Sequence, residues 1–212
     1  LVQVAREPEA GTGSTLGIQN EARTSGLQYQ CNTGVTPGST AVLFTPPAEP
    51  VLNELRIDQP GSDDDEFFEI RGQPGASLDN VWLLVVGDAT PLDSGIVEEA
   101  IDLSGYSLDA SGLFAMGEQG FSLGTVDATG PLNFENSDNV TFLLVRGFTG
   151  DIGYDIDLDD DGVPDATPFT SLADRVALVE EVNPPNNTEF YYGTTTVGPD
   201  GTVTKAKAKG KH

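Results

Sequence analysis

Histidine, cysteine, methionine and tryptophan occur once each in the 212 residues, and lysine and arginine together only ten times. Each scarcity removes a class of function. A serine or cysteine hydrolase needs a positioned imidazole, and the one histidine is His212, the last residue. Catalytic zinc normally draws on several histidines, which this chain cannot supply. Cys31 cannot build an internal disulfide framework, so it is either free or pairs with another chain. With no histidine near it in sequence, it does not read as a thiol nucleophile. Ten basic against 34 acidic residues give a net charge of -24, which leaves no basic face for nucleic acid. The longest apolar run, Val81 to Val86, falls far short of the about 20 residues that span a bilayer as a helix. No glycine-rich phosphate loop occurs. Glycoside hydrolysis needs only two carboxylates, but nothing selects a pair among so many. No enzyme is expected.

What is present is turn chemistry and short apolar runs. Hydrophobic residues reach 37%, too many for a disordered acidic chain, and 25 Gly with 14 Pro imply many turns. VLNELRID, EFFEIRG, VWLLVVGD, IVEEAIDL, GLFAMGE, NVTFLLVRGF and RVALVEEV read as strands, with TEFYYG a last candidate. VWLLVVGD has the texture of a strand buried on both faces. LADRVALVEEV is β-branched enough to favour strand over helix. QPGS, RGQPGAS, DASG and NSDN supply the turns. The pattern predicts an all-β, Greek-key β-sandwich over residues 51–193. Residues 1–50 form an arm ending in the stiff linker TPPAEP, within which LQYQ and AVLF are strand-like. Such an arm can stay free or add to the sheet edge of another subunit. Residues 194–212 read as a flexible tail, with four of the ten basic residues in the last eight. That tail is either solubilising or a basic strap for an acidic face of this or a neighbouring molecule. Leu1 is not a start methionine, consistent with removal of a secretion signal. Asn139 and Asn186 head N-glycosylation sequons, a pattern frequent by chance.

DIDLDDDGVPD, Asp155 to Asp165, holds six carboxylates in eleven residues. Counted from Asp157, it places Asp157, Asp159 and Asp161 at positions 1, 3 and 5, Gly162 at 6, Val163 at 7 and Asp165 at 9. Alternating carboxylates can wrap a hard cation that takes six to eight oxygens, Gly permits the sharp turn, and position 7 offers only its carbonyl. Calcium is the expected ion, with magnesium or weak nonspecific cation binding as the alternatives. The candidate ligands are Asp157, Asp159, Asp161, Val163 and Asp165, with Asp155 and Asp160 as further acids. An EF-hand would carry Glu at position 12, and here that residue is Pro168, so this is not a complete EF-hand. Asp151, Asp174 or another loop would have to complete the shell. GSDDDEFFE, Gly61 to Glu69, lacks the alternation and reads as a solvated turn.

The D-x-D-x-D-G-x-x-D run resembles the calcium loops of thrombospondin type 3 repeats, present here in one copy. LNELRIDQPGSDDDEFFEI resembles the opening of lamin-tail domains, and IDLSGYSLDASG their D-L-S-G-W-x-L segment, with Tyr106 in place of Trp. LNFENSDNVTFLLVRGFTG is similar to their later stretch, so the likeness covers roughly Val51 to Val182. It implies an immunoglobulin-like sandwich and a binding or scaffolding module with no catalytic residues to carry over. The aspartate insertion and a longer loop from Ala89 to Glu98 depart from it. The expected protein is a secreted or cell-surface, calcium-stabilised structural subunit. Its partners would be further copies or another surface component, and its N-terminal arm could build an extracellular filament. The alternative is a monomeric adhesion or carbohydrate-binding module with Tyr154, Phe169, Tyr191 and Tyr192 as stacking surfaces.

Overall fold

Successive side chains of a strand point to opposite faces, and VWLLVV is apolar at every position, so it must be covered on both sides. The computed structural model describes residues 2–3, 46–57, 64–90, 93–134, 139–179, 190–193, 195–197 and 203–205. Among them the chain forms strands and no helix. The strands are β1 (Val2–Gln3), β2 (Val51–Arg56), β3 (Phe67–Arg71), β4 (Val81–Thr90), β5 (Asp93–Asp102), β6 (Leu113–Glu118), β7 (Ala128–Gly130), β8 (Val140–Arg146), β9 (Ser171–Leu178), β10 (Thr195–Val197) and β11 (Val203–Lys205). They make two mixed sheets, ordered β1-β2-β3-β6-β7 and β11-β10-β9-β8-β4-β5. Pairing is antiparallel except for β6 with β7 and β9 with β10.

The sheets pack face to face as an all-β sandwich. Leu55, Phe68 and Phe114 of the first sheet join Leu83, Val85, Phe142, Leu144 and Val176 of the second in one buried cluster. Each such side chain contributes about 1.5–3 kcal/mol on leaving water. Alternation sends Leu84 and Val86 of β4, with Leu143 and Val145 of β8, to the opposite face of the second sheet. There they meet Val97, Ile156 and Tyr192, with Trp82, Phe148, Phe169 and Phe190 half-buried around them. The second sheet is thus covered on both faces, and the outer cover includes the aspartate-rich loop.

Several expectations shift. Asp93 to Glu98, read as part of a long loop, belongs to β5. The small and acidic residues that looked like loop sit where β4 and β5 slip register, near Gly87, Asp88 and Thr90. TEFYYG gives no strand among its described residues, 190–193; the strand starts at Thr195. Tyr192 turns its side chain to the aspartate loop instead. Within the segment read as a tail from 194 onward, β10 and β11 pair antiparallel, and β-branched Thr and Val dominate both. The acidic run before β3 is more than a solvated turn. Glu66 is buried, 3% exposed, and both its oxygens accept from the Phe134 backbone N–H, at 3.1 and 3.0 Å. Buried Glu69 accepts from Asn53 Nδ2 at 2.6 Å, and Asp65 accepts from the Ser122 backbone N–H and hydroxyl. Asn139 is buried, so its sequon is not presented at the surface. Cys31, Asn186 and His212 lie outside the described residues.

β5 is the outermost strand of its sheet, and it is partly covered along its length. Glu99 reaches the 131–134 segment, accepting the Asn133 N–H at 2.9 Å. Burial pushes its carboxyl above the ordinary 4.5, and the Asn133 bond only partly offsets this. The folded state therefore favours protonated Glu99. That contribution is complete below the ordinary value and is lost as pH rises through the folded value. Glu99→Gln should melt above the parent at neutral pH and together with it below about pH 4, as thermal scans across pH would record.

Candidate metal centre

The aspartate loop begins as a short addition to β5. Gly153 N–H donates to Val97 O at 2.7 Å, Val97 N–H to Tyr154 O at 2.9 Å, and Ile156 N–H to Gly95 O at 2.9 Å. Alternation then buries the Ile156 side chain against the outer sheet face. From that anchor the chain makes a closed turn. Asp160 N–H returns to Asp157 O at 3.1 Å, while Asp165 and Ala166 N–H both return to Ile156 O, at 2.7 and 3.2 Å. Asp160 and Gly162 supply the positive φ values, 49° and 81°, that close it. A side chain at 162 would strike the Phe190 ring, 2.6 Å from the added Cβ. The glycine at position 6 is thus required by both turn and packing.

Asp157 lies at the centre of the turn and is 0% exposed. Its Oδ2 accepts from Gly162 N–H at 2.8 Å and from the Tyr192 hydroxyl at 2.9 Å; among the described residues its Oδ1 accepts only the long Asp161 N–H bond, 3.3 Å. Tyr192 Oη also lies 3.1 Å from Ser94 Oγ. One phenolic proton cannot serve both, so it goes to the carboxylate and the Ser94 hydroxyl donates to the phenol. Ser94 Oγ accepts Phe190 N–H at 3.3 Å, and Ser94 N–H donates to Asp160 Oδ1 at 2.9 Å. Tyr192 is itself anchored through its N–H to Thr141 Oγ1 on β8, at 3.0 Å. Burial raises the Asp157 carboxyl above its ordinary 3.8, against the pull of the Tyr192, Gly162 and Asp161 hydrogen bonds; the Asp161 charge adds to the rise. Burial likewise raises the Tyr192 phenol, so it stays a donor.

Asp157, Asp159 and Asp165 each bring a carboxylate oxygen within 4.8 Å of the others. Two oxygens held 2.3–2.6 Å from one ion lie at most about 5 Å apart, so the three can share a calcium-sized cation. These residues are positions 1, 3 and 9 of the expected register. The other expected acids are not in the cluster. Asp161 Oδ1 accepts Val163 N–H at 2.9 Å, forming the turn, and Asp155 Oδ1 accepts Asp157 N–H at 2.8 Å. Asp174, suggested above as completing the shell, is buried on β9, with Oδ2 on Leu52 N–H at 2.9 Å and Oδ1 on Arg175 N–H at 2.8 Å. Exposed Asp151 is not among the three either. Val163 has an exposed side chain, as a residue offering only its carbonyl allows.

Ser94 was not legible as a site residue and Tyr192 was read only as a stacking ring: they stand 98 positions apart and neither carries a metal-site motif. The one available signal was small residues, Asp-Ser-Gly at 93–95, at a strand start. No protein family matches the chain, and no curated protein does. Among the described residues no helix is long and apolar enough to cross a membrane.

Proposed function

We propose that this chain is a secreted or cell-surface, non-catalytic structural subunit of lamin-tail type. Calcium stiffens its aspartate loop, and its N-terminal arm joins it to further copies in an extracellular filament. One observation carries the calcium reading: three carboxylates converge in a loop that covers both the edge of β5 and the outer sheet face. A cation there would tie the 157–165 turn to β5 through Ser94 and to 190–192 through Tyr192. The metal is therefore structural in this reading. The other deeply buried acids support a non-catalytic role, since Glu66 and Asp174 are spent on backbone N–H groups.

The monomeric carbohydrate-binding alternative relied on loop aromatics. Tyr192 is buried and committed to Asp157, and Phe169 is packed on the outer sheet face. Tyr154 remains partly exposed, at 36%, and Tyr191 is half-buried. The subunit reading is the better supported.

Thermal melting with calcium and with chelator tests it. A ligand that binds only the folded chain, at 100 times its dissociation constant, adds about 2.7 kcal/mol. For a domain of this size that is an upward shift of roughly 5–10 °C. Equal melting in calcium and in chelator would remove calcium from the reading.

A further inference from the structure

Trp82 of β4 lies on the outer face of the second sheet beside Phe148, with ring centroids 5.5 Å apart and planes tilted by 56°. Phe148 in turn shares Gly150 with Tyr154. A Cβ on that glycine would meet Phe148 Cε2 at 2.9 Å and Tyr154 Cδ2 at 3.2 Å, so the missing side chain lets both rings close over the backbone. Trp82 and Phe148 are half-buried and Tyr154 is 36% exposed, which makes the three a packed aromatic row that still meets solvent. Acids stand at both ends of it. Asp102 is the Cα partner of Trp82 across β4 and β5, so the two side chains share a face with Cβ atoms about 5 Å apart. Asp102 is exposed, and its Oδ1 accepts Ser104 N–H at 2.9 Å. Exposed Asp151 follows Gly150, and its carbonyl accepts Tyr154 N–H at 3.1 Å. Arg175 is on the same face but two strands from Trp82, beyond β8.

We propose that this row docks an extended, arginine-bearing segment of a partner protein. The face of an aromatic ring is negative, and a guanidinium laid on it is attracted while its N–H fork reaches a neighbouring carboxylate. Trp82 with Asp102 offers that combination directly, and Asp151 adds a second charge at the Tyr154 end. Alternate side chains of an extended chain point the same way about 6.5–7 Å apart, close to the spacing of the Trp82 and Phe148 rings. The net charge of -24 draws a cationic partner in and repels an acidic one. A neutral sugar would use the rings and leave the acids idle, so it is the lesser fit. Lysine carries a point charge without the flat face, so arginine is preferred. Nothing on this surface needs a cation in the aspartate loop, and the proposal stands apart from the calcium reading.

Trp82 is the sole tryptophan of the chain, so its emission reports this surface alone. The full chain, in chelator, would be titrated with a hexapeptide alternating serine and arginine, with its lysine and glutamine counterparts, and with a neutral oligosaccharide. The arginine peptide should change the emission saturably, more tightly than the lysine peptide, while the glutamine peptide and the sugar leave it unchanged. Its affinity should fall as salt rises from about 0.01 to about 1 M, which shortens the screening length from about 30 to about 3 Å. Asp102→Asn keeps the acceptor for Ser104 and removes the charge; Tyr154→Ala removes one ring. Each should weaken the arginine peptide about 2–5-fold, and the two together roughly tenfold. No saturable response, an equal response to the glutamine peptide, a response to the sugar alone, or parent-like binding by both variants would overturn the proposal. Should a variant fail to fold, the peptide series and the salt dependence of the native chain still decide. None of these outcomes touches the calcium melting test or the subunit reading.

Discussion

Asp157→Ala should cost about 3 kcal/mol even in chelator, lowering the melting temperature by roughly 6–12 °C, and should abolish any calcium response. Three donors lose their acceptor at once: Gly162 N–H, Asp161 N–H and the Tyr192 hydroxyl. A buried donor without a partner costs about 1–3 kcal/mol, and the phenol is the one least able to reach water. The Asp157 carboxylate is nevertheless an uncomfortable anion when no cation is present, since burial raises its pKa. In chelator its contribution is complete below the ordinary 3.8 and falls as pH rises through the folded value. A cation reverses that sign, because metal binding needs the deprotonated ligand. Calcium stabilisation should therefore increase with pH from about 4 to 7. Asp157→Asn separates the two roles. It keeps an acceptor oxygen and the shape, so it should melt within about 1.5 kcal/mol of the parent in chelator and show no calcium shift. Calorimetry of the three proteins in calcium and in chelator decides this. A calcium shift retained by Asp157→Ala would remove Asp157 from the site.

The fold was legible where periodicity and turn chemistry agreed. VWLLVV could only be a strand covered twice, and the structure covers it twice, with the sandwich core on one side and Ile156 and Tyr192 on the other. The β-branched content of RVALV decided strand over helix at β9. What covers the outer face was not legible, because the anchoring residues are single side chains far from one another. Ile156 is one apolar residue among aspartates, and Tyr192 sits in a run that looked like a strand. The site was legible in part for a related reason. The spacing singled out Asp157, Asp159 and Asp165, whose carboxylates the fold brings within reach of one another, but local hydrogen bonding sets which acids the turn keeps for its own N–H groups. Asp161 and Asp155 go to Val163 and Asp157, a competition that spacing does not reveal. The buried Glu66, Glu69 and Asp174 share that lesson: in a chain this acidic, composition hides the carboxylates that satisfy buried donors.

Gly95→Ala should be among the most damaging single-methyl changes in the molecule, at about 3–5 kcal/mol, with loss of the calcium response. Two effects coincide there. Gly95 has φ +89°, a conformation that costs a non-glycine residue about 1–3 kcal/mol. The added Cβ would also sit 2.8 Å from Asp157 Cβ, 2.9 Å from Tyr192 Oη and 3.0 Å from Asp157 N. None of these can yield cheaply, since Asp157 is held by its backbone and Tyr192 by Thr141. The clash therefore pushes the aspartate loop off β5 and separates the Tyr192 hydroxyl from the carboxylate. Gly105 is the control, with φ +90° and nothing within 4 Å of its added Cβ. Gly105→Ala bears the same backbone strain without the clash, so it should cost about 1–2 kcal/mol and leave the calcium shift intact. The difference between the two variants isolates the close approach of β5 to the loop. If both lose the same stability and both keep the calcium shift, that approach does not hold the site together.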